Sequence, residues 1–501
     1  MLSSPIKNQI LLSLFLAFYS FNLFSSNVSS CLVQQLETTA NLVPTYASPA
    51  GNFANESKEV TDQIKLHFQA FKKSSQKTYA ENDILPFQKK DVSLDLNIQD
   101  AHSIIKLAAI ARENASKLHY ITSAAGQWSR GRIKVVKALV PYNLKEIIGP
   151  NLASRIRSLD KLLASSETSE IIAMAKKLKL SNITDIDFIK KEAQTWLTKI
   201  IKNASADFEK GLNPLDLKFM NVALLSKKTS SYVPFDIITA PHTHQEISNY
   251  LTKLKSSFQF KIFHKDPVQN KKIIEALAEY FQKSDKLHDT HILGHQRGVL
   301  AIDPTTGDFL PGSAPSSIGA GNFMADLKNS GRMNVHKREI YHFDNIEVVS
   351  NLEETLAMHV IGKAETSITV VPTKAGYKGG SPYLIKNENG TMSTQLVEDF
   401  LVPDYIKKQG ELFNTGSITV NQTAKPPRAL SFENKVDKDT GKPIVRVKST
   451  PGDFTQENST SVILGRLEDD PAKRRDYENF KSWDDYLNNG SFYLETIMNN
   501  L

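Results

Sequence analysis

The amino-acid sequence predicts an α/β fold in which helices pack on a mixed, mostly parallel sheet, with a small β-rich domain at the carboxyl end. Short runs of β-forming residues, such as "LHYIT" from Leu118 and "VPFDIITA" from Val233, alternate with segments of helical spacing. From about residue 426 this alternation gives way to strands and turns. The sequence has no internal repeat, which argues against a solenoid.

Composition and charge set the class of protein. The chain has 501 residues, of which 40% are hydrophobic and 23% charged, as in globular proteins with two or three domains. The net charge of +7 suits an anionic substrate. Basic and aromatic residues do not alternate as they do in single-strand binders, so we expect no nucleic-acid partner. The single cysteine, Cys31, excludes an internal disulfide and a cysteine-based zinc site.

The amino terminus predicts export. Lys7 precedes the apolar run "QILLSLFLAFYSFNLF", which is typical of a signal peptide and short for a membrane span. Val28–Cys31 resembles a bacterial lipobox, in which the cysteine is lipidated after cleavage. We therefore predict a signal peptide over 1–31, an exported chain, and membrane attachment through a lipid on Cys31. The alternatives are a plain signal peptide with a chance cysteine and, if no signal is present, a cytoplasmic protein.

The elements of the core follow from periodicity. Residues 32–100 are polar and predict a loose, partly helical segment. The core spans 101–425 and opens on a helix with apolar residues at Ile104, Leu107 and Ile110, followed by the "LHYIT" strand. Helical spacing then dominates from Asn143 to Gly211, with a helix whose cap is Asp185 or Asp187. The runs "VPFDIITA", "TSITVVP" and "SITVNQT" predict later strands.

The carboxyl-terminal segment, 426–501, predicts a separate small domain. It is rich in strand and turn residues and contains the hairpin signal "DTGK" at 439–442. A helix over "SWDDYLNNGSFYLETIMNN" closes the segment.

A basic loop follows the first core strand, within 123–141. Small residues form a turn at the carboxyl end of the strand, where open α/β sheets bind ligands and where backbone N–H groups approach phosphate oxygens. Cations that neutralise phosphate charge follow this turn, namely Arg130, Arg132, Lys134 and Lys137. The loop therefore predicts a phosphate site, and the alternative is a solvated basic loop.

Two further segments predict ligand contacts. Gly319 and Gly321 flank Ala320, and Asn322 opens a short helix, so the backbone there has room to approach a ligand. Asp344 ends a strand, where a carboxylate is placed to hold Mg²⁺ on phosphates. The alternatives are a helix-initiating turn for the glycines and a turn cap for Asp344.

The last two segments, "KGG" and "FNT", lie beside predicted strands. Lys378 supplies a cation next to the exposed amides of Gly379 and Gly380, and Asn414 precedes the strand "SITV". The histidines in "HTH" from His242 have no third ligand nearby in the sequence, which favours a loop over a metal site.

Together these segments resemble the UDP-sugar pyrophosphorylases, the UTP–glucose-1-phosphate and UTP–N-acetylhexosamine-1-phosphate uridylyltransferases. Gly126, Ser129, Arg130 and Lys137 match the family's Gly-Gly-x-Gly-Thr-Arg loop and the lysine that follows it. "VPFDIITAPHTHQEI", "APSSIGAGN", "HFDNIEVVSNL", "KGG" and "FNT" follow in the family's order. The resemblance covers about Leu118 to Lys481.

The resemblance implies a Rossmann-like nucleotidyltransferase core that transfers UMP from UTP to a sugar 1-phosphate and releases pyrophosphate. Glucose 1-phosphate is favoured by the "FNT" form. Magnesium is the implied cofactor, with Asp344 as its ligand. The implied roles are Arg130 and Lys137 for catalysis, Gly126, Ser129, Thr239, Gly319, Gly321 and Asn322 for the nucleotide, and Lys378, Gly380 and Asn414 for the sugar.

Several loop residues depart from the family pattern. Ala125 and Trp128 replace glycines, Val136 replaces a proline, and Ala320 replaces a polar residue. An indole at Trp128 adds bulk beside the expected phosphates. Two alternatives to a glucose-1-phosphate enzyme therefore stay open: an exported nucleotide- or sugar-binding protein without turnover, and an enzyme for N-acetylhexosamine 1-phosphate.

Overall fold

The structure is a computed structural model of the whole chain. It describes residues 68–69 and then 83–498, except for 98–99, 127–132, 134, 182, 296–297, 300, 311–315, 318–319, 322, 375–379, 388, 399–401, 428–430, 437–440, 449, 468–475, 479 and 481. The predicted signal segment and Cys31 lie outside the described residues. No helix in the described part of the chain is long and apolar enough to span a membrane.

The strands of the described residues are numbered in chain order. They are β1 (Ile84–Pro86), β2 (Leu94–Asp95), β3 (Leu118–Ser123), β4 (Phe235–Thr239), β5 (Ile292–His295), β6 (Gly298–Val299), β7 (Ser316–Ser317), β8 (Ile340–Asn345), β9 (Thr366–Pro372), β10 (Gly380–Lys386), β11 (Met392–Glu398), β12 (Leu412–Asn421), β13 (Ser431–Val436), β14 (Pro443–Lys448) and β15 (Thr460–Leu464).

The α-helices of the same residues are α1 (Ala101–Asn114), α2 (Leu144–Ala164), α3 (Thr168–Leu178), α4 (Ile186–Ala206), α5 (Pro214–Thr229), α6 (Pro241–Ser257), α7 (Pro267–Lys286), α8 (Phe323–Asn329), α9 (Arg332–His336), α10 (Leu352–Gly362), α11 (Asp404–Lys407) and α12 (Trp483–Met498).

The main sheet has eight strands among the described residues, in the order β2-β15-β9-β12-β8-β3-β4-β5. Strand β12 is antiparallel to both neighbours, and the other pairs are parallel, so the remaining strands run in one direction. Their carboxyl ends therefore meet at one edge of the sheet. The fold class predicted from the sequence, a mostly parallel mixed sheet with helices, is confirmed.

The smaller sheets are antiparallel. β10 pairs with β1 and β11, β13 pairs with β14, and β6 pairs with β7. The β13–β14 pair confirms the hairpin predicted around "DTGK". Strand β15, by contrast, lies in the main sheet between β9 and β2, so part of the β-rich carboxyl-terminal segment completes the core. The predicted boundary at residue 426 stays a prediction.

Each face of the main sheet packs against its own apolar core, because successive strand residues point to opposite faces. On one face, Tyr120 and Ile237 pack with the helices, including α5, α7 and α12. On the other face, Ile121 and Phe343 pack with Phe323 of α8 and with Leu396 of β11. Both cores consist of buried apolar side chains, and burial of such side chains supplies most of the driving force for folding.

The predicted helices are present, with two details that the pattern left open. Asp185, rather than Asp187, caps α4, because its carboxylate accepts hydrogen bonds from the backbone N–H groups of Asp187 and Phe188. Ile104 and Ile105 in α1 are 51% and 69% exposed, whereas Leu107 and Ala111 are buried. The buried face of α1 thus begins later than the apolar run predicts.

Candidate active site

The site is built at the carboxyl edge of β3, β4 and β8. The chain leaves β3 through Ala124, whose N–H donates to the Ile238 carbonyl of β4 at 2.7 Å. Gly126 then accepts a backbone hydrogen bond from Lys137 at 3.2 Å, which closes the loop. Among the described residues, no atom lies within 4 Å of a Cβ added at Gly126, so these residues leave room for a ligand next to this backbone.

Lys137 is anchored across this edge. Its ammonium group pairs with the Glu347 carboxylate, and both side chains are mostly buried, at 15% and 19% exposure. The Glu347 carbonyl in turn accepts a hydrogen bond from the Tyr142 hydroxyl at 3.0 Å. The segment after β8 thus holds the predicted catalytic lysine in place.

The end of β4 contributes hydroxyl and imidazole groups. Thr239, predicted to contact the nucleotide, is fully buried, and its Oγ1 lies 3.1 Å from Nδ1 of His244. The Thr243 hydroxyl accepts from the Ala240 N–H at the start of α6. Burial lowers the pKa of His242. A hydrogen bond with the Ala125 backbone raises this pKa, but the effect of burial is larger. That hydrogen bond places the "HTH" segment beside the loop after β3.

β12 enters the same edge at a bulge between Asn414 and Ser417. Ser417 pairs with Asp344 of β8, which brings the "FNT" segment next to the "DN" segment. Gly416 has φ +88°, and a Cβ there would overlap the side-chain amide of Asn345. Glycine is therefore required at this position for both backbone conformation and space. Asn414, predicted for the sugar, lies on the other side of this bulge, where it pairs with Val370 of β9.

Asp344 lies below this edge, on the helix-covered face of the sheet, and is fully buried. Its Oδ1 accepts hydrogen bonds from Ser350 Oγ at 2.7 Å and from His342 Nε2 at 3.0 Å. Its Oδ2 accepts from the Tyr120 hydroxyl at 2.8 Å and from the Ser350 N–H at 3.1 Å. Nζ of the fully buried Lys218, in α5, lies 3.7 Å from the same Oδ2.

The charges in this cluster follow from its burial. Burial raises the pKa of the Asp344 carboxyl, but His342, Lys218 and the hydrogen bond from Ser350 outweigh burial and hold that pKa below its usual range. Burial lowers the pKa of Lys218 to about 8, against the opposing effect of Asp344. At neutral pH both groups are therefore charged and form a buried ion pair.

The surroundings of Asp344 do not fit a magnesium ion. A carboxylate offers about four lone-pair positions, and four protein donors already occupy those of Asp344. Mg²⁺ binds oxygen ligands in octahedral geometry, whereas Asp344 faces an ammonium group and an imidazole. A magnesium ion at Asp344 would therefore have to displace protein donors from the carboxylate, and the assignment of Asp344 as a metal ligand stays a prediction.

Two more of the predicted residues lie in the described part of the chain. Gly321 is buried in the turn before α8, and its neighbour Ala320 belongs to the same apolar core as Phe323 and Ile238. Gly380 begins β10 and pairs with Glu398 of β11. The others lie outside the described residues and stay predictions: Ser129, Arg130, Gly319, Asn322 and Lys378, together with Trp128 and Lys481 of the resemblance.

Sequence reasoning missed several of the residues that build this site. Lys218 interrupts the apolar run "LKFMNVALL" in α5, and a charged residue inside such a run signals a buried partner. His342 precedes Asp344 by two positions, which places both on one face of β8. The sequence carries no comparable signal for Glu347, because its partner Lys137 is distant in the chain.

Comparison with known proteins finds likeness at the level of structure. Neither the models of protein families nor the curated sequences gave a match. Among solved structures, the UDP-N-acetylglucosamine pyrophosphorylase of Trypanosoma brucei, solved with an inhibitor, superposes with a TM-score of 0.52 at 10% identity. That alignment covers 93% of this chain and 84% of the other.

UDP-glucose pyrophosphorylases give a similar result. The Leishmania major enzyme, solved in open and closed structures, has a TM-score of 0.50 at 13% identity over 92% of this chain and 79% of its own. A Trypanosoma brucei protein described as UDP-glucose phosphorylase has a TM-score of 0.51 at 12% identity, over 90% of this chain and 78% of its own. The chain thus has the fold of these proteins over most of its length, and the resemblance predicted from the sequence is confirmed at the level of the fold.

Proposed function

We propose that this chain, which has the fold of the UDP-sugar pyrophosphorylases, transfers UMP from UTP to a sugar 1-phosphate. One observation carries the proposal: a shared fold over most of the chain sets the loop after β3 and the ends of β4, β8 and β12 at one sheet edge. In the main sheet these strands lie side by side in the order β12-β8-β3-β4.

The proposed reaction is an in-line displacement. A phosphate oxygen of the sugar 1-phosphate attacks the α-phosphorus of UTP, the bond from this phosphorus to the α,β-bridging oxygen breaks, and pyrophosphate leaves with the bond electrons. Such a transfer needs positioning and charge stabilisation more than covalent chemistry. Among the described residues, Lys137 is the cation at this loop. When UTP binds, a phosphate oxygen replaces the Glu347 carboxylate as the partner of the Lys137 ammonium group. The ammonium group then stabilises the negative charge on the phosphates. The open backbone at Gly126 admits the nucleotide.

The sugar side of the site is proposed at Asn414 and Gly380. Asn414 lies at the bulge of β12, where a side-chain amide can both donate to and accept from sugar hydroxyls. Neighbours of both sugar types share the fold, so glucose 1-phosphate and N-acetylhexosamine 1-phosphate remain the two substrates to compare.

The experiment is pyrophosphate release by the purified chain, begun after residue 31, from UTP and a panel of sugar 1-phosphates. Release with glucose 1-phosphate supports the proposal in its favoured form, and release only with the N-acetylhexosamine substrate selects the other sugar. UTP binding without release with any sugar supports a binding protein without turnover. If the chain neither binds UTP nor releases pyrophosphate, both proposed functions are contradicted. Export and lipidation at Cys31 stay predictions.

Substitution of Lys137 tests the role of the loop. We expect Lys137→Met to lower turnover at least tenfold, because one contact that stabilises transition-state charge is worth about 2–4 kcal/mol. The matched control is Lys145→Met, since Lys145 is an exposed lysine of α2. Equal kinetics of the two variants in an active enzyme would contradict the proposed role of Lys137.

A further inference from the structure

The ammonium group of Lys218 is buried in the core and interacts there with Asp344, Tyr120 and Val348. The side chains of Lys218 and Asp344 are both 0% exposed. The ammonium group of Lys218 donates to the Val348 carbonyl at 2.6 Å and to the Tyr120 hydroxyl at 3.0 Å, and it lies 3.7 Å from the Asp344 carboxylate. A buried carboxylate is stable only when its charge is compensated nearby. Here the ammonium group of Lys218 compensates the charge of the Asp344 carboxylate inside the core.

We infer that the Lys218 ammonium supplies at Asp344 the positive charge that the family resemblance assigns to a magnesium ion, and that Asp344 is a positioning residue for Lys137. The inference deepens the proposed function and rests on it for the role of Lys137. Its first support is the donor set around Asp344, in which every lone-pair position of the carboxylate faces a protein donor.

Its second support is the segment that the buried pair fixes. After β8 the chain turns through 346–350, and both members of the pair hold this turn: Lys218 through the Val348 carbonyl, and Asp344 through the N–H and hydroxyl of Ser350. The Ser350 carbonyl also accepts a hydrogen bond from the Asn221 amide of α5. The turn is thus attached to β8 and to α5 at several points.

Glu347 lies in the middle of this turn, and its carboxylate pairs with Lys137. The path from the buried pair to the loop after β3 is therefore short: Asp344 and Lys218 hold the turn, the turn presents Glu347, and Glu347 holds Lys137. A change in the buried pair should alter the surroundings of Lys137 without a direct contact to it.

The first test measures Mn²⁺ binding, by electron paramagnetic resonance, to the wild-type chain and to Asp344→Asn in the absence of nucleotide. We expect both proteins to bind Mn²⁺ with affinities that agree within twofold. A loss of tenfold or more in Asp344→Asn would show a metal at Asp344 and overturn it. Because neither substrate nor turnover is involved, this result is independent of whether the proposed reaction is found.

The second test follows the reactivity of Lys137 toward trace acetic anhydride, residue by residue, by mass spectrometry. We expect acetylation of Lys137 to be at least threefold faster in Ser350→Ala, which removes one donor to Asp344, and in Asp344→Asn/Lys218→Met, which removes the pair without leaving an isolated charge. Glu347→Gln, which releases Lys137 directly, calibrates the full effect.

Two lysines control this measurement. The exposed Lys145 should react at the same rate in every variant, and the fully buried Lys261 should stay unreactive unless the chain unfolds. A folded Ser350→Ala protein with wild-type reactivity at Lys137 would overturn the positioning role, because a purely structural pair would not alter that rate.

Discussion

Gly416 shows how one residue can set the shape of a site. Its φ of +88° lies in the left-handed region, and the Asn345 amide occupies the space where a side chain would begin. The bulge of β12 at this point aligns the segment that carries Asn414 with the end of β8. A glycine is thus needed where two candidate ligand-binding segments meet.

We expect Gly416→Ala to destabilise the chain by about 2–3 kcal/mol, because strained backbone costs of order 1–3 kcal/mol and the overlap with Asn345 adds to it. Gly390→Ala is the matched control, since Gly390 has φ +81° but no atom of the described residues lies within 4 Å of its missing Cβ. Denaturant unfolding of both variants separates the backbone cost from the overlap. Equal destabilisation would mean that Asn345 moves aside freely.

At the scale of elements, α4 depends on its amino-terminal cap. Asp185 accepts hydrogen bonds from two backbone N–H groups, at 2.9 and 3.2 Å, whereas Asp187 lies within the first turn. We expect Asp185→Ala to lower the free energy of unfolding by about 1 kcal/mol. Asp187→Ala should cost roughly 0.3–0.5 kcal/mol, since it loses only the attraction of a carboxylate to the helix dipole. The reverse order in denaturant unfolding would contradict the assigned cap.

The elements also show what a sequence can predict. Strands such as β4 and helices such as α4 were predicted because local periodicity determines them. The pairing of β15 with β2 and β9 could not be predicted, because the pairing of strands that are distant in the chain has no local signature. For the same reason Asp344 was recognised as a polar strand end, but its neutralisation by Lys218 was not, because helical spacing does not reveal which strand a helix covers.

At the scale of the whole molecule, buried histidines predict how stability depends on pH. Burial lowers the pKa of His336 from 6.5 to about 4, and it also lowers the pKa values of His291 and His359. Between these values and 6.5 the unfolded chain binds more protons than the folded chain, so stability rises with pH over this range. The contribution is complete above about pH 6.5 and is lost as the pH falls toward 4.

We therefore expect the melting temperature to fall by several degrees between pH 7 and pH 4.5, measured by calorimetry at constant ionic strength. His336→Asn should reduce this fall, because the side chain of His336 is only 4% exposed and loses its titration. The matched control is His102→Asn, because His102 lies at an exposed position in α1. If the melting temperature falls equally with pH in both variants, His336 is excluded as a source of the pH dependence.

The position of β15 bears on how this chain is made. A ribosome synthesises β2 and β9 long before β15, yet β15 is the strand that joins them. Until residue 464 has emerged, β9 presents an unpaired edge with free N–H and carbonyl groups, and such edges recruit strands from other chains. A nascent chain that stalls before β15 is therefore prone to aggregate, and the main sheet is completed only after β15 has been synthesised.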